Sequence, residues 1–173
     1  MRIRDAVPED AAAACQVMRR SIAELCVADH RDDPAILQRW LGDKTPEIFK
    51  SWIRPGNSLL VAVEDNSIVA AGCMTDVGEI TLNYVSPDLR FRGVSSAMLD
   101  ALEGRAREQS IELCTLASTE TARRFYLLRS RQQAIGAAKN CHSDRRESAL
   151  FPSTSLLRSC GSRSGGISLR SIA

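Results

Sequence analysis

The most informative segment of this chain is Val85-Ser86-Pro87-Asp88-Leu89-Arg90-Phe91-Arg92-Gly93-Val94-Ser95-Ser96-Ala97-Met98-Leu99. Alternating apolar residues precede it and apolar residues at helical spacing follow it, so a strand is predicted to run through a loop into a helix. The first N–H groups of a helix lack partners inside it and carry the positive end of its dipole, which favours an anion. Small residues from Gly93 to Ala97 leave this backbone uncovered, and Arg90 and Arg92 add positive charge. The segment therefore predicts a phosphate-binding loop, although an ordinary strand–loop–helix joint with two solvated arginines would show the same pattern.

Secondary structure on either side of this loop follows from periodicity. Apolar residues three and four apart predict helices, whereas alternation and short apolar runs predict strands. The predicted strands are a short one around Ile3, then Leu59–Val63, Ile68–Met74, Glu79–Val85 and Ile111–Leu116. The predicted helices begin at Pro8, at Pro34, at Pro46 with Thr45 as its cap, near Gly93, and after Ser118 or Thr119.

These elements predict an α+β protein with a single mixed, mostly antiparallel sheet, flanked by helices and followed by an irregular C-terminal tail. Ile111–Leu116 follows a strand–helix crossover, so it is expected to run parallel to Glu79–Val85. Strict alternation along that earlier strand predicts two faces, with Ile80, Leu82 and Tyr84 on one and Glu79, Thr81, Asn83 and Val85 on the other.

Charge divides the 173-residue chain into two unequal parts. Residues 1–127 carry 15 Lys and Arg against 19 Asp and Glu, whereas residues 128–173 carry 8 against 2. The second part is also rich in Ser, Arg and Gly and has no sustained periodicity, so it buries little apolar surface. Two explanations are open for residues 128–173: a diverged tail that does not order fully, and a frame-shifted reading of the original terminus.

Composition excludes several classes of protein. No apolar run approaches the roughly 20 residues that cross a membrane, and the N-terminus does not resemble a secretion signal. The six cysteines form no C-x-x-C pair, so the sequence predicts free thiols in a cytoplasmic protein without a metal site. Aromatic residues make up only 5% of the chain, which together with the acidic body argues against nucleic acid as a partner, even for the Arg-rich tail.

The loop and its flanks resemble the GCN5-related N-acetyltransferase (GNAT) family. Arg90, Gly93 and Ser95 occupy the family signature R-x-x-G-x-[GA], with Ser95 in place of the usual Gly or Ala. The signature is preceded by Val85-Ser86-Pro87 and followed, on the next helix, by Ala122-Arg123-Arg124-Phe125-Tyr126, with Thr119 where the family usually has Asn. The similarity covers residues 1–127, which would form the N-acetyltransferase core with the acyl-CoA N-acyltransferase fold.

This resemblance implies acetyl-CoA as the acetyl donor, bound in a V-shaped gap between the fourth and fifth strands. Pantetheine would pair with the backbone near Tyr84 and Val85, and pyrophosphate would lie on the N–H groups from Arg92 to Ala97. The implied cofactor-binding residues are Tyr84, Val85, Arg90, Arg92, Gly93, Val94, Ser95, Ser96 and Ala97.

The implied reaction is acetyl transfer to a primary amine of a small molecule or peptide, by direct attack in a ternary complex. Glu79 is the candidate base for the ammonium proton, since it shares a predicted face with Asn83 and Val85, although a solvated carboxylate is the plainer interpretation. Tyr126 occupies the family position that often gives a proton to the departing thiolate, and could equally be a core residue. Acidic residues Asp29, Asp32, Asp33 and Asp43 would suit a cationic acceptor.

The sequence departs from the family after Leu127. Ser130 and Arg131 stand where Gly and an aromatic residue are expected, and only Gln133–Lys139 and Ala149–Pro152 resemble the two antiparallel strands that would close the sheet. Because those strands form one wall of the substrate pocket, the alternative function is a catalytically inactive CoA-binding or regulatory module. Many relatives dimerise through the same strands, so a homodimer is a further expectation.

Overall fold

The structure is a computed structural model, and it describes residues 1–129 and the backbone of a strand at residues 166–171. The strands are β1 (Arg2–Asp5), β2 (Asn57–Glu64), β3 (Ser67–Thr75), β4 (Glu79–Val85), β5 (Leu113–Ser118) and β6 (Gly166–Ser171). The helices are α1 (Ala11–Leu25), α2 (Val27–His30), α3 (Pro34–Leu41), α4 (Pro46–Trp52), α5 (Val94–Glu108) and α6, described over residues 120–129.

Side-chain caps fix the starts of three helices. The Asp33 carboxylate accepts hydrogen bonds from the N–H groups of the first turn of α3, and the Thr45 hydroxyl accepts one at the start of α4. Thr119 Oγ1 accepts the Ala122 N–H at 3.3 Å, so that Thr119, one of the two predicted residues, caps α6. Each cap satisfies N–H groups that have no partner inside the helix.

The sheet has the order β1-β2-β3-β4-β5-β6. Its first four strands form an antiparallel meander, whereas β5 runs parallel to β4, and β6 runs parallel to β5. The predicted single mixed sheet flanked by helices is therefore confirmed, as is the parallel pairing of the strand after α5.

Two apolar clusters cover the two faces of the sheet. One packs Met98, Leu99 and Leu102 of α5 on the strands, and the other packs α1 and α4 on the opposite face. Gly72 of β3 lies under α5, where a Cβ atom would come within 2.6 Å of Met98 Cγ. A glycine at this position therefore allows α5, which begins at the predicted phosphate loop, to lie close to the centre of the sheet.

Four elements differ from the sequence prediction. The helix predicted to begin at Pro8 begins at Ala11, after a 3-10 turn over Pro8–Asp10. β5 begins and ends two residues later than predicted, because the Ile111 N–H donates to Ala106 O at 2.8 Å and so belongs to the end of α5. The four-residue helix α2 was not predicted, since it spans little more than one turn and so shows no repeat of apolar positions. The alternation along β4 is wrong at Thr81, where the strand contains a bulge.

The C-terminal strand β6 is also an addition to the predicted elements. The alternation of Ile167 and Leu169 with polar residues was its signal in the sequence. The two segments that resembled closing strands, Gln133–Lys139 and Ala149–Pro152, lie outside the described residues, and the boundary at residue 127 stays a prediction. No helix in the described part of the chain is long and apolar enough to span a membrane.

Candidate active site

The two central strands of the candidate site separate soon after they meet. β4 and β5 pair only at Glu79 with Thr115 and at Ile80 with Leu116. β4 continues to Val85 and β5 to Ser118 on diverging paths, and a cavity of about 450 Å³ lies between them. The V-shaped gap that the sequence analysis expected is therefore present, with residues of both strands in its walls.

A β-bulge at Thr81 determines which face of the sheet each later side chain of β4 occupies. Cys73 pairs with Leu82 and Met74 pairs with Ile80, so β4 has one residue more than β3 at this point. An extra residue reverses the alternation that follows it. Ile80 accordingly packs in the cluster under α5, whereas Leu82 packs in the cluster under α1.

The N-terminus of α5 lines the same cavity and presents free N–H groups to it. Gly93 caps the helix with a φ of +80°, and no side chain accepts a hydrogen bond from the first turn. Within the described residues, the N–H groups of Gly93, Val94, Ser95 and Ser96 have no acceptor. Four free N–H groups at the positive end of a helix dipole are the donors that an anion-binding site requires.

Arg90 and Arg92 precede this N-terminus in the loop, and neither has an ion-pair partner in the described part of the chain. The Arg90 guanidinium lies 4.6 Å from the centroid of the Phe91 ring, a cation–π contact at the cavity wall. Phe91 is 91% exposed and has a φ of +62°, so its ring stands out from the loop. The positive charge of the arginines is thus not neutralised by neighbouring carboxylates.

Tyr126 of α6 closes the opposite wall. Its side chain is buried and packs edge-on against Phe125, with ring centroids 5.0 Å apart. Asn83 Nδ2 donates a hydrogen bond to Tyr126 Oη at 3.2 Å across the gap between β4 and α6. Burial raises the pKa of the Tyr126 phenol, and the bond from Asn83 acts in the opposite direction.

The comparison with protein families agrees with this geometry. The family model for the acetyltransferase (GNAT) domain matches residues 26–129, more than half of the chain. The chain belongs to the GNAT family. Comparison with curated proteins gives no match.

Solved structures show the same GNAT fold. A Rhodopseudomonas palustris protein described as "GCN5-Related N-acetyltransferase: Aminotransferase, Class-II" is 25% identical, with a TM-score of 0.67 over 74% of this chain and 79% of its own. The PaiA N-acetyltransferase of Thermoplasma acidophilum, solved in complex with coenzyme A, is 17% identical, with a TM-score of 0.67 over 74% of this chain and 87% of its own.

Most of the site residues predicted for this GNAT domain meet at the one cavity. Those that line it are Tyr84, Val85, Arg90, Gly93, Val94, Ser95, Ser96 and Tyr126. Arg92 and Ala97 lie beside it, and their backbone N–H groups already donate, to Leu89 O at 3.3 Å and to Gly93 O at 2.9 Å. The amides available to an anion are therefore the four from Gly93 to Ser96, rather than the six that were expected.

Glu79 is not brought together with these residues. It is exposed at the start of β4, outside the cavity wall. Glu79 was assigned as the base because it was predicted to share a face of β4 with Val85. Ile80 and Val85 instead pack on one face, and Glu79, as the neighbour of Ile80 in the strand, lies on the other. The predicted common face of Glu79, Asn83 and Val85 is wrong for this physical reason.

The acidic residues that suggested a cationic acceptor mostly have internal partners. Asp29 binds the first turn of α6, Asp33 caps α3, and Asp43 pairs with Lys44. Asp32 is exposed beside the buried His30, whose Nδ1 accepts the Asp32 N–H at 3.1 Å. Asp29, Asp33 and Asp43 therefore already make contacts within the chain, and the cationic acceptor stays a prediction. Among the described residues there is no group of three or more potential metal ligands.

The site also contains residues that the sequence analysis did not assign. Cys26 lines the cavity beside the end of α1, where burial raises the pKa of its thiol to about 11. Burial raises the pKa of the neighbouring Tyr84 phenol to about 12. Asn83 was visible only as a polar residue in an apolar strand, which was its one signal in the sequence.

Proposed function

We propose that this GNAT domain transfers the acetyl group of acetyl-CoA to a primary amine, by direct attack in a ternary complex. The observation that carries the proposal is the set of four free N–H groups at the start of α5, which open onto the gap between β4 and β5. A helix N-terminus without side-chain caps suits a pyrophosphate, and a gap between two strands suits an extended pantetheine arm.

The residues present fit acetyl-CoA both in the room that they leave for a phosphate and in the charge that they carry. A Cβ atom built on Gly93 would meet no atom within 4 Å, so the backbone faces open room for a phosphate. Arg90 and Arg92 would add charge-assisted contacts to that phosphate. Small side chains from Ser95 to Ala97 keep the helix start accessible, and the separated edge of β4 near Tyr84 and Val85 would pair with the amides of pantetheine.

Bound acetyl-CoA supplies the acetyl group as a thioester. The chain must then accept one proton from the amine and give one proton to the departing thiolate. The acceptor nitrogen forms a bond to the carbonyl carbon as the carbon–sulfur bond breaks, and the nitrogen loses a proton. Tyr126 would donate its phenolic proton to the departing thiolate sulfur. Glu79 stays a prediction for the base and would receive the amine proton only through intervening water, since its carboxylate lies outside the cavity.

Acetyl-CoA binding is tested first by thermal unfolding of the full chain. At about 100 times its Kd a ligand stabilises the native state by about 2.7 kcal/mol, which corresponds to a rise in Tm of about 5–10 °C. Gly93→Val should abolish this rise, because valine at a φ of +80° is strained and its side chain would enter the phosphate site.

Gly104→Ala is the matched control for that substitution. Gly104 lies inside α5, and its nearest neighbour for a Cβ atom is Arg107 Nη2 at 3.8 Å. Alanine there should raise the Tm of the free protein and leave the acetyl-CoA-dependent rise unchanged. A folded wild-type chain that shows no rise with acetyl-CoA contradicts the proposal.

A second candidate function, a CoA-binding module without catalysis, is favoured by one observation. β6 comes from the segment 128–173 and runs parallel to β5, where the family resemblance implied an antiparallel pair of closing strands. A different edge strand would change the substrate wall while it leaves the phosphate loop intact. Thermal stabilisation by acetyl-CoA without release of free CoA thiol on a panel of small amines and peptides would support this candidate.

A further inference from the structure

An unusual polar contact joins the two walls of the gap. Asn83 on β4 donates from Nδ2 to Tyr126 Oη on α6, over 3.2 Å and 43 residues of sequence. The bulge at Thr81 makes the contact possible, because without it Asn83 would face α1 instead of α6. Both residues line the cavity in which the thioester is proposed to lie.

Stability does not account for an asparagine at this position. Its Oδ1 atom is buried and has no hydrogen-bond partner within the described residues. An unsatisfied buried acceptor lowers stability, whereas an apolar side chain of similar size leaves no such group. Leucine at this position would retain the volume of the side chain and remove the unpaired oxygen. Within the described residues, the side-chain hydrogen bond of this amide is the one that Nδ2 donates to the Tyr126 phenol.

We infer that Asn83 is a positioning residue for Tyr126: its amide holds the phenol oxygen at the gap and stabilises that oxygen while it gives up its proton. This inference rests on the proposed acetyl transfer. As the carbon–sulfur bond breaks, the electron pair goes to sulfur, the phenolic proton follows, and negative charge develops on Tyr126 Oη. A hydrogen bond donated to that oxygen is stronger in the charged state than in the neutral one.

The Asn83 amide lies in surroundings that otherwise oppose a charge on Tyr126. Titratable groups that interact with the phenol include Cys26, from the end of α1, and Tyr84, from β4. Burial raises the pKa of Cys26 to about 11 and that of Tyr84 to about 12, so both are neutral at pH 7. Neither can stabilise a phenolate, whereas the Asn83 amide lowers the pKa of Tyr126 against the effect of burial.

The first test is the ionisation of Tyr126 in the full chain, followed by tyrosinate absorbance. The chain has two tyrosines, so Tyr84→Phe leaves Tyr126 as the single titrating phenol. In that background Asn83→Leu should move the titration of Tyr126 to higher pH. The titration is measured only over the pH range in which circular dichroism shows a folded protein. Asn57→Leu, the same substitution on β2, where the amide donates to Trp52 O at 3.1 Å outside the cavity wall, should not move it. An unchanged titration in Asn83→Leu overturns the inference.

The second test is a double-mutant cycle on acetyl transfer. Asn83→Leu should lower kcat about ten-fold with little change in the KM for acetyl-CoA. In the Tyr126→Phe background the same substitution should have no further effect, since Asn83 acts through the phenol. An equal loss of kcat in both backgrounds overturns the inference.

Binding of acetyl-CoA separates this inference from the proposed function. Thermal stabilisation by acetyl-CoA should be the same in the wild type and in Asn83→Leu. A wild type without stabilisation contradicts the proposed function itself. A wild type that binds and transfers acetyl groups, but shows no coupling between Asn83 and Tyr126, contradicts only the role of Asn83.

Discussion

Asp10 joins the first strand to the first helix through a bidentate pair with Arg4, with N–O distances of 2.6 and 2.8 Å. It also accepts the Val7 N–H at 2.8 Å. The bond from Arg4 lowers the pKa of Asp10 below its usual value. A carboxyl whose folded pKa is depressed adds stability above its unfolded pKa, about 3.9, and loses it as pH falls through the folded pKa.

We therefore expect Asp10→Asn to reduce the free energy of unfolding by about 1–3 kcal/mol at pH 7. The difference from the wild type should shrink below about pH 4, as protonation removes the charge in the wild type too. Denaturant unfolding at several pH values measures this. Asp65→Asn, in the exposed turn between β2 and β3, is the control and should show no such pH-dependent difference. A difference for Asp10→Asn that stays constant to pH 3 would contradict the assignment.

Single residues of the site differ in how well the sequence revealed them. The positions of Arg90, Gly93 and Ser95 were predictable because the segment that carries them is local: a loop and the first turn of one helix. Asn83 was not, since its direction depends on a bulge that exists only in the register between β3 and β4. Glu79 was misplaced by the same bulge. A rule based on alternation fails after one inserted residue, however clear the pattern is.

At the scale of elements, α2 holds the start of the helix that carries Tyr126. The Asp29 carboxylate accepts from Glu120 N at 2.7 Å, from Thr121 N at 3.2 Å and from Thr121 Oγ1 at 2.5 Å. A carboxylate there satisfies free N–H groups of α6 and complements the helix dipole. Because its partner lies 91 residues away, no local capping pattern in the sequence could reveal it.

Asp29→Ala should lower the free energy of unfolding by about 1 kcal/mol and should also lower kcat, because α6 then frays and Tyr126 shifts. Asp33→Ala offers a matched comparison, since Asp33 caps α3 by accepting the Ala35 N–H at 2.8 Å. We expect a similar loss of stability from it, without an effect on kcat beyond the unfolded fraction. Equal kcat values for the two variants would show that the α2–α6 contact does not position Tyr126.

At the scale of the whole molecule, the gap divides the sheet into two parts. β1 to β4 form a continuous antiparallel ladder, whereas β5 joins β4 through two residue pairs. The fold class was predictable because each strand and helix has its own periodicity. The edge beyond β5 was not, since the segment after residue 127 carries a basic, Ser-rich composition that has no sustained period.

A weakly joined second part should open more readily than the meander, and hydrogen exchange measures this. We expect peptides from residues 113–129 to exchange faster than those from residues 57–75 in the free protein, because β5 joins β4 at only two residue pairs and its other neighbour, β6, is the edge strand of the sheet. Acetyl-CoA should slow exchange at residues 79–97 and 113–129, since it would contact both sides of the gap and bind only the native state. Gly93→Val with acetyl-CoA should exchange like the free protein. If acetyl-CoA slows only residues 79–97, the ligand binds the phosphate loop without bridging the strands, and Tyr126 on the far wall cannot then be its proton donor.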